Sequence, residues 1–235
     1  MATIMITLQK LYTFCLIVIL ILGSFLGSTL SANAVNSKQL HQLLETRSCT
    51  SFLWKVCDLK NADLTHQDLS KFNLSGANLQ GADLQYATLK NANLSGADLR
   101  QAKLDHANLY GVNLRKANLI EASLIETGLW EADLTLANLT RANLEKSNLL
   151  DARLWGTNLK QVNLTRGSLR GTNLQYANLA ESDLTGSDFH GFYFRDSQKI
   201  TDLSNANLQG ANLEQTNLTG VILHGTILPD GHIHE

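Results

Sequence analysis

The sequence predicts an all-β solenoid. Three observations carry that prediction. From Leu59 a large apolar residue returns every five positions, through Leu184 to Phe189 and Phe194. After one slip of phase the series resumes at Leu203 and runs to Leu228. Two positions before each centre stands a small residue, most often Ala. One position before stands Asn or Asp, as in Ala77-Asn78-Leu79 and Ala97-Asp98-Leu99. Of the 34 centres 32 are Leu, which excludes chance periodicity.

A period of five suits neither common element. On an α-helix, at 3.6 residues per turn, the leucines would drift around the whole circumference. On a flat strand an odd period would put successive leucines on opposite faces. The chain must therefore turn a corner once per repeat. If each pentapeptide is one side of a coil, Leu and the small residue two before it both point inward. The Asn or Asp between them meets water, and its side chain can bond the nearby backbone of a turn. Where four sides converge only a small residue fits beside a leucine, which accounts for the Ala.

The motif Ala-(Asn/Asp)-Leu-x-x, repeated over about residues 55–228, resembles the pentapeptide-repeat family. The resemblance implies a right-handed β-helix of square section with four repeats per coil. Residues 20 apart would then stack vertically. At the strand spacing of about 4.8 Å per coil the rod would be about 40 Å long.

The elements follow in chain order. Residues 1–34 carry a single charge, Lys10, then an apolar run from Leu11 to Leu22, then a small, polar stretch ending Ser31-Ala32-Asn33-Ala34. That is the composition of a secretory signal peptide, with cleavage expected after Ala34. The competing assignment is an uncleaved leader that anchors the protein, for which the run is short against the ~20 residues of a membrane span. Residues 35–54 are expected to form a helical cap over Lys38–Arg47, started by Ser37, followed by a cysteine loop. Cys49 and Cys57 are the two cysteines left after cleavage. In an exported chain they are expected to form a disulfide, the alternative being two buried thiols. Residues 55–194 hold 28 repeats counted from Leu59. Residues 195–202 are a loop where the phase breaks, 203–228 hold six further repeats, and 229–235 are a tail. At Ile222 and Ile227 an isoleucine replaces the outward Asn or Asp. Either a cap lies there under the tail, or a second copy docks through the C-terminal coil.

The chain has 19 basic and 21 acidic residues and a net charge of −2, which argues against wrapping nucleic acid. Charged residues are 17% and there is one proline, so the chain is not a disordered one. No Gly-x-Gly-x-x-Gly, Walker, His-Glu-x-x-His or Gly-x-Ser-x-Gly motif is present, so no enzyme, cofactor or metal is expected. His224, His232, His234 and Glu235 read as a solvated tail.

The outer surface is more informative. Ile120, Ile125 and Trp130 stand at successive corners of one coil, with Leu136 at the fourth. Tyr110 lies under Trp130 and Leu150 above it, while Trp155 and Tyr176 stand around the adjacent side. Apolar residues grouped on a polar rod mark a contact site for a protein partner. The expected function is therefore a non-enzymatic, exported structural or interaction protein, touching a membrane only through an uncleaved leader. With its leader, short helical lid and cysteine pair the chain resembles exported cyanobacterial members of the family, and that resemblance implies the periplasm or thylakoid lumen. The resemblance also offers an alternative, a DNA-mimicking inhibitor of gyrase, which requires a cytoplasmic address and a strongly acidic rod.

Overall fold

The structure, a computed structural model, describes residues 43, 46–48, 57–194 and 197–235. The chain divides into two units, Met1–Ala34 and Val35–Glu235, and every described residue belongs to the second. The expected leader and Cys49 lie outside the described residues.

The second unit is a right-handed square β-helix. Each outward Asn/Asp position pairs in parallel with the residue 20 further on, from Asp58↔Asn78 to Ser168↔Asp188. Four pentapeptides therefore make one coil. Between coils the Leu59 N–H donates to the Asn78 carbonyl at 2.7 Å, and the Asn78 N–H donates to the Cys57 carbonyl at 2.8 Å. This slanted pattern is that of a parallel ladder, repeated on all four sides.

The corners explain the two variable positions of each repeat. At the first corner Ala62 N–H donates to the Leu59 carbonyl at 3.0 Å, closing a four-residue turn. The second central residue has positive φ at every such corner from Asn61 (55°) to Gly186 (65°), and the first does not. That is the sense of a type II turn. Most of these residues are not glycine, at a cost of about 1–2 kcal/mol each. The cost is offset because the corner amide also joins the ladder, as Asn61 N–H does with the Gln80 carbonyl at 2.9 Å.

The outward Asn or Asp serves the same turn. The Ser75 N–H donates to Asn73 Oδ1 at 3.2 Å, and the Gln80 N–H to Asn78 Oδ1 at 3.2 Å. Asparagines also link vertically, Asn93 Nδ2 donating to Asn73 Oδ1 and Asn113 Nδ2 to Asn93 Oδ1. Inside, Leu and Ala columns fill the section and are fully buried from Leu59 to Leu208. Where Thr replaces an inward Ala its hydroxyl donates to a leucine carbonyl, as Thr127 does with Leu104 at 2.9 Å and Thr157 with Leu134 at 3.0 Å. A buried hydroxyl left unpaired would cost about 1–3 kcal/mol.

At the N-terminal end Leu43 is 1% exposed, and the Arg47 N–H donates to its carbonyl at 2.8 Å, one turn of α-helix. Ser48 forms an isolated parallel bridge with Asn73, whose N–H donates to the Arg47 carbonyl at 2.9 Å.

The phase break differs from the expectation. Phe189 is the last inward centre before it and is fully buried. Phe194 keeps the period of five, but its backbone pairs in an antiparallel hairpin and not in the parallel ladder. It ends strand β1 (Phe192–Phe194), which pairs antiparallel with β2 (Ser197–Lys199). The break is thus a β-hairpin that begins before Phe194. Beyond it the ladder resumes with a longer step, Asn173↔Asp202 and Asp188↔Asn217. The physical reason lies at Gly191. A Cβ there would come within 2.7 Å of the Lys199 carbonyl, so the glycine lets the returning strand close on it.

At the C-terminal end the tail folds back. Ile227 pairs antiparallel with Ile233, and the His234 N–H donates to the Thr226 carbonyl at 2.8 Å. This covers one side of the last coil. Leu213, Leu218, Val221 and Leu223 on the other sides are only partly buried.

Candidate contact surface

Stacking by 20 residues sorts the apolar surface residues by corner. Ile120 lies at one corner and Ile125 at the next, both half-buried in their columns. Trp130 is at the third corner and is 47% exposed. The three share a coil but face three directions, so they do not form one patch.

The third corner carries a vertical column of Tyr110, Trp130 and Leu150. The Tyr110 O–H donates to Glu131 Oε2 at 3.1 Å, and the Glu131 carboxylate holds the phenol above its ordinary pKa. Above Leu150 the column meets the hairpin. The Arg170 guanidinium lies 5.4 Å from the Phe192 ring centre, and Lys199 Nζ is 2.8 Å from Asp151 Oδ2. A Cβ at Gly171 would come within 2.7 Å of the Phe192 ring, so the hairpin is seated against bare backbone there.

The fourth corner brings together Leu136, Trp155 and Tyr176, from three successive coils. The Trp155 and Tyr176 rings are 5.6 Å apart and tilted by 59°. Leu136 leans over the gap left by Gly156, where a Cβ would come within 2.9 Å of its Cδ2. Exposures of 43%, 41% and 57% make this trio a contiguous and accessible apolar surface. The other residues of that corner are polar or glycine, including Ser75, Ser95, Arg115, Lys116, Gln175 and Ser204.

The adjoining side carries Asp133, which holds two cations. Arg115 Nη1 is 3.3 Å and Arg153 Nη1 3.6 Å from its Oδ2. Burial pushes the Asp133 pKa up. Hydrogen bonds from the Thr135 side chain and N–H, together with Arg115, outweigh that and leave it below the ordinary value.

One feature escaped the sequence reading. His66, Tyr86 and His106 stack at a single corner, with ring centres 5.0 Å and 4.8 Å apart and planes within 10°. Their 20-residue spacing was the available signal. Ile222 is 41% exposed on an uncovered side of the last coil, whereas Ile227 lies beneath the tail. His232 sits 3.0 Å from Asp230, and among the described residues no His, Cys, Asp or Glu side chains group as a metal would need.

No curated protein matches the chain. Among solved structures it is similar to HetL from the cyanobacterium Nostoc sp. strain PCC 7120, a pentapeptide repeat protein involved in regulating heterocyst differentiation. Identity is 29% over 83% of this chain and 98% of that one, with a TM-score of 0.43. It is also similar to QnrB1, a plasmid-mediated fluoroquinolone resistance protein, at 20% identity over 74% and 88% of the two chains and a TM-score of 0.36. A pentapeptide repeat protein of the Arabidopsis thaliana thylakoid lumen matches at 27% identity over 43% and 68%, with a TM-score of 0.26. The sequence model for pentapeptide repeats matches in eight copies, over residues 57–96, 92–130, 117–156, 129–166, 152–191 and 201–230. The matches leave out the hairpin and cover most of the chain, and the protein belongs to the pentapeptide repeat family.

Proposed function

We propose that this protein is an exported, non-enzymatic interaction protein that presents a rigid β-helical surface to a protein partner. The observation that carries the reading is the Leu136–Trp155–Tyr176 corner. Its three apolar side chains come from separate coils, stand on an otherwise polar corner, and add nothing the core requires. Exposed grouped apolar residues favour association, and Trp and Tyr are the residues that most often anchor interfaces. Rigidity follows from the ladder, which ties each coil to its neighbours on four sides.

Export is supported by the leader composition and by Cys57, which is disulfide-bonded and buried. The pairing we propose is with Cys49, in a periplasm or thylakoid lumen that permits disulfides. Gyrase inhibition by DNA mimicry is not favoured. The surface mixes charges of both signs, as in the Arg115–Asp133–Arg153 group and the Glu126–Lys146 pair. A supercoiling assay with purified gyrase checks this, and inhibition at stoichiometric protein would reverse the choice.

The test of the contact surface is Trp155→Ala. Circular dichroism should be unchanged and a co-purifying partner should be lost. Retention of every partner by the folded variant contradicts the reading. A second contact is supported by the last coil, where Leu213, Leu218 and Leu223 are partly buried and their N–H groups meet no described acceptor. We propose self-association of two copies through this end. Light scattering of the eluting protein should give the dimer mass, and a monomer at about 100 μM excludes any dimer tighter than that.

A further inference from the structure

Resting on the contact reading above, we infer that the partner segment on this corner is acidic, with an apolar anchor on Leu136, Trp155 and Tyr176 and carboxylates placed toward Arg115, Lys116 and Arg153. The argument is the charge around the trio. Lys116 stands one coil below Leu136 in the same column, is exposed, and makes no ion pair with any described residue. Arg115 stands beside it, and Arg153 lies on the adjoining side with 70% of its side chain exposed. These two share a single carboxylate, Asp133, itself only 17% exposed. The cations therefore exceed the anions on the N-terminal flank of the patch.

The other flank is different. Above Tyr176 the charged group is Asp202, which already accepts from Gln175 Nε2 at 2.7 Å and from the Ser204 N–H at 2.8 Å. The asymmetry gives the ligand a direction, with its acidic end toward Lys116. Three cations are too few for the repeated phosphate contacts of a nucleic acid, and the chain as a whole is slightly acidic. An acidic protein segment is the chemistry that fits. Charges at such a rim act mainly on encounter and specificity, and salt weakens them.

The experiment uses isotope-labelled protein and three synthetic peptides sharing a Leu-Phe core, flanked by Glu, by Lys or by Ser. The Trp155 indole N–H, assigned with Trp155→Phe, reports binding. The Glu peptide is expected to bind about tenfold tighter than the Lys peptide. Raising salt from about 0.05 to 0.5 M should erase most of that preference. Lys116→Glu combined with Arg153→Glu should reverse the order, with the Trp155–Tyr176 surface intact. If the Lys peptide binds as tightly as the Glu peptide, the acidic assignment is overturned while the contact reading stands. If no peptide moves the Trp155 indole at about 1 mM, both are overturned.

Discussion

Gly171 lies directly beneath the Phe192 ring. A Cβ on this glycine would fall 2.7 Å from Phe192 Cε1 and 3.0 Å from Lys199 Cβ. The hairpin is therefore docked on a corner that has no side chain of its own. Gly171→Ala should lift the hairpin and break the Arg170–Phe192 and Lys199–Asp151 contacts. Amide exchange of residues 192–199 should accelerate by about tenfold or more, while the coil core keeps its protection. Unchanged exchange in the hairpin would show that the docking does not depend on Gly171.

The core tolerates little added volume. Ala97 is fully buried beside the leucine columns, and its N–H–bonded neighbours fix the backbone above and below. Ala97→Phe should destabilise by at least the 1–3 kcal/mol typical of overpacking, because the ladder cannot widen at one coil. A thermal midpoint equal to that of the parent would contradict the inward position of Ala97.

Acid sensitivity follows from two aspartates. The Arg100 side chain donates to Asp98 through Nε at 2.8 Å and Nη2 at 2.6 Å, and this hydrogen bonding holds the Asp98 pKa below its ordinary 3.8. Asp133 is lowered as well. A depressed carboxyl contributes stability that is present above the unfolded value of 3.8 and lost as pH falls through the lower folded value. The urea midpoint should thus be flat with respect to these groups above pH 4 and fall below it. Asp98→Asn combined with Asp133→Asn should flatten that fall, and an identical acid profile in the double variant would refute the assignment.

Much of this architecture was legible in the sequence, because one rule repeats. Leu59 and its successors mark the inside, and Asn73 and its equivalents mark the turn they later bond. Two things were hidden. Phe194 keeps the five-residue phase although it is a hairpin strand, so periodicity alone could not separate it from Phe189. The surface grouping also depends on three-dimensional adjacency. Ile120, Ile125 and Trp130 are neighbours in one coil and point three ways, whereas Leu136, Trp155 and Tyr176 are about 20 apart and meet at one corner. Stacking by whole coils, not nearness along the chain, decides which apolar residues form a surface.

The cysteines provide a test of compartment. The proposed Cys49–Cys57 bridge would close a short loop, and such a link is expected to contribute about 2–3 kcal/mol. Protein recovered from its native compartment and alkylated under denaturing, non-reducing conditions should show no free thiol at either position. Two alkylated cysteines would remove the bridge and leave export resting on the leader composition alone.

The central claim is that the fourth corner is where a partner sits, and site-specific photo-cross-linking tests it most directly. A photoreactive phenylalanine analogue is placed at Tyr176 and, as a control, at Gln101, an exposed residue of another corner. Illumination in the native cell should give one adduct of defined mass from position 176, lost with Trp155→Ala, and none from position 101. Equal labelling from both corners, or an adduct from 101 alone, would contradict the account.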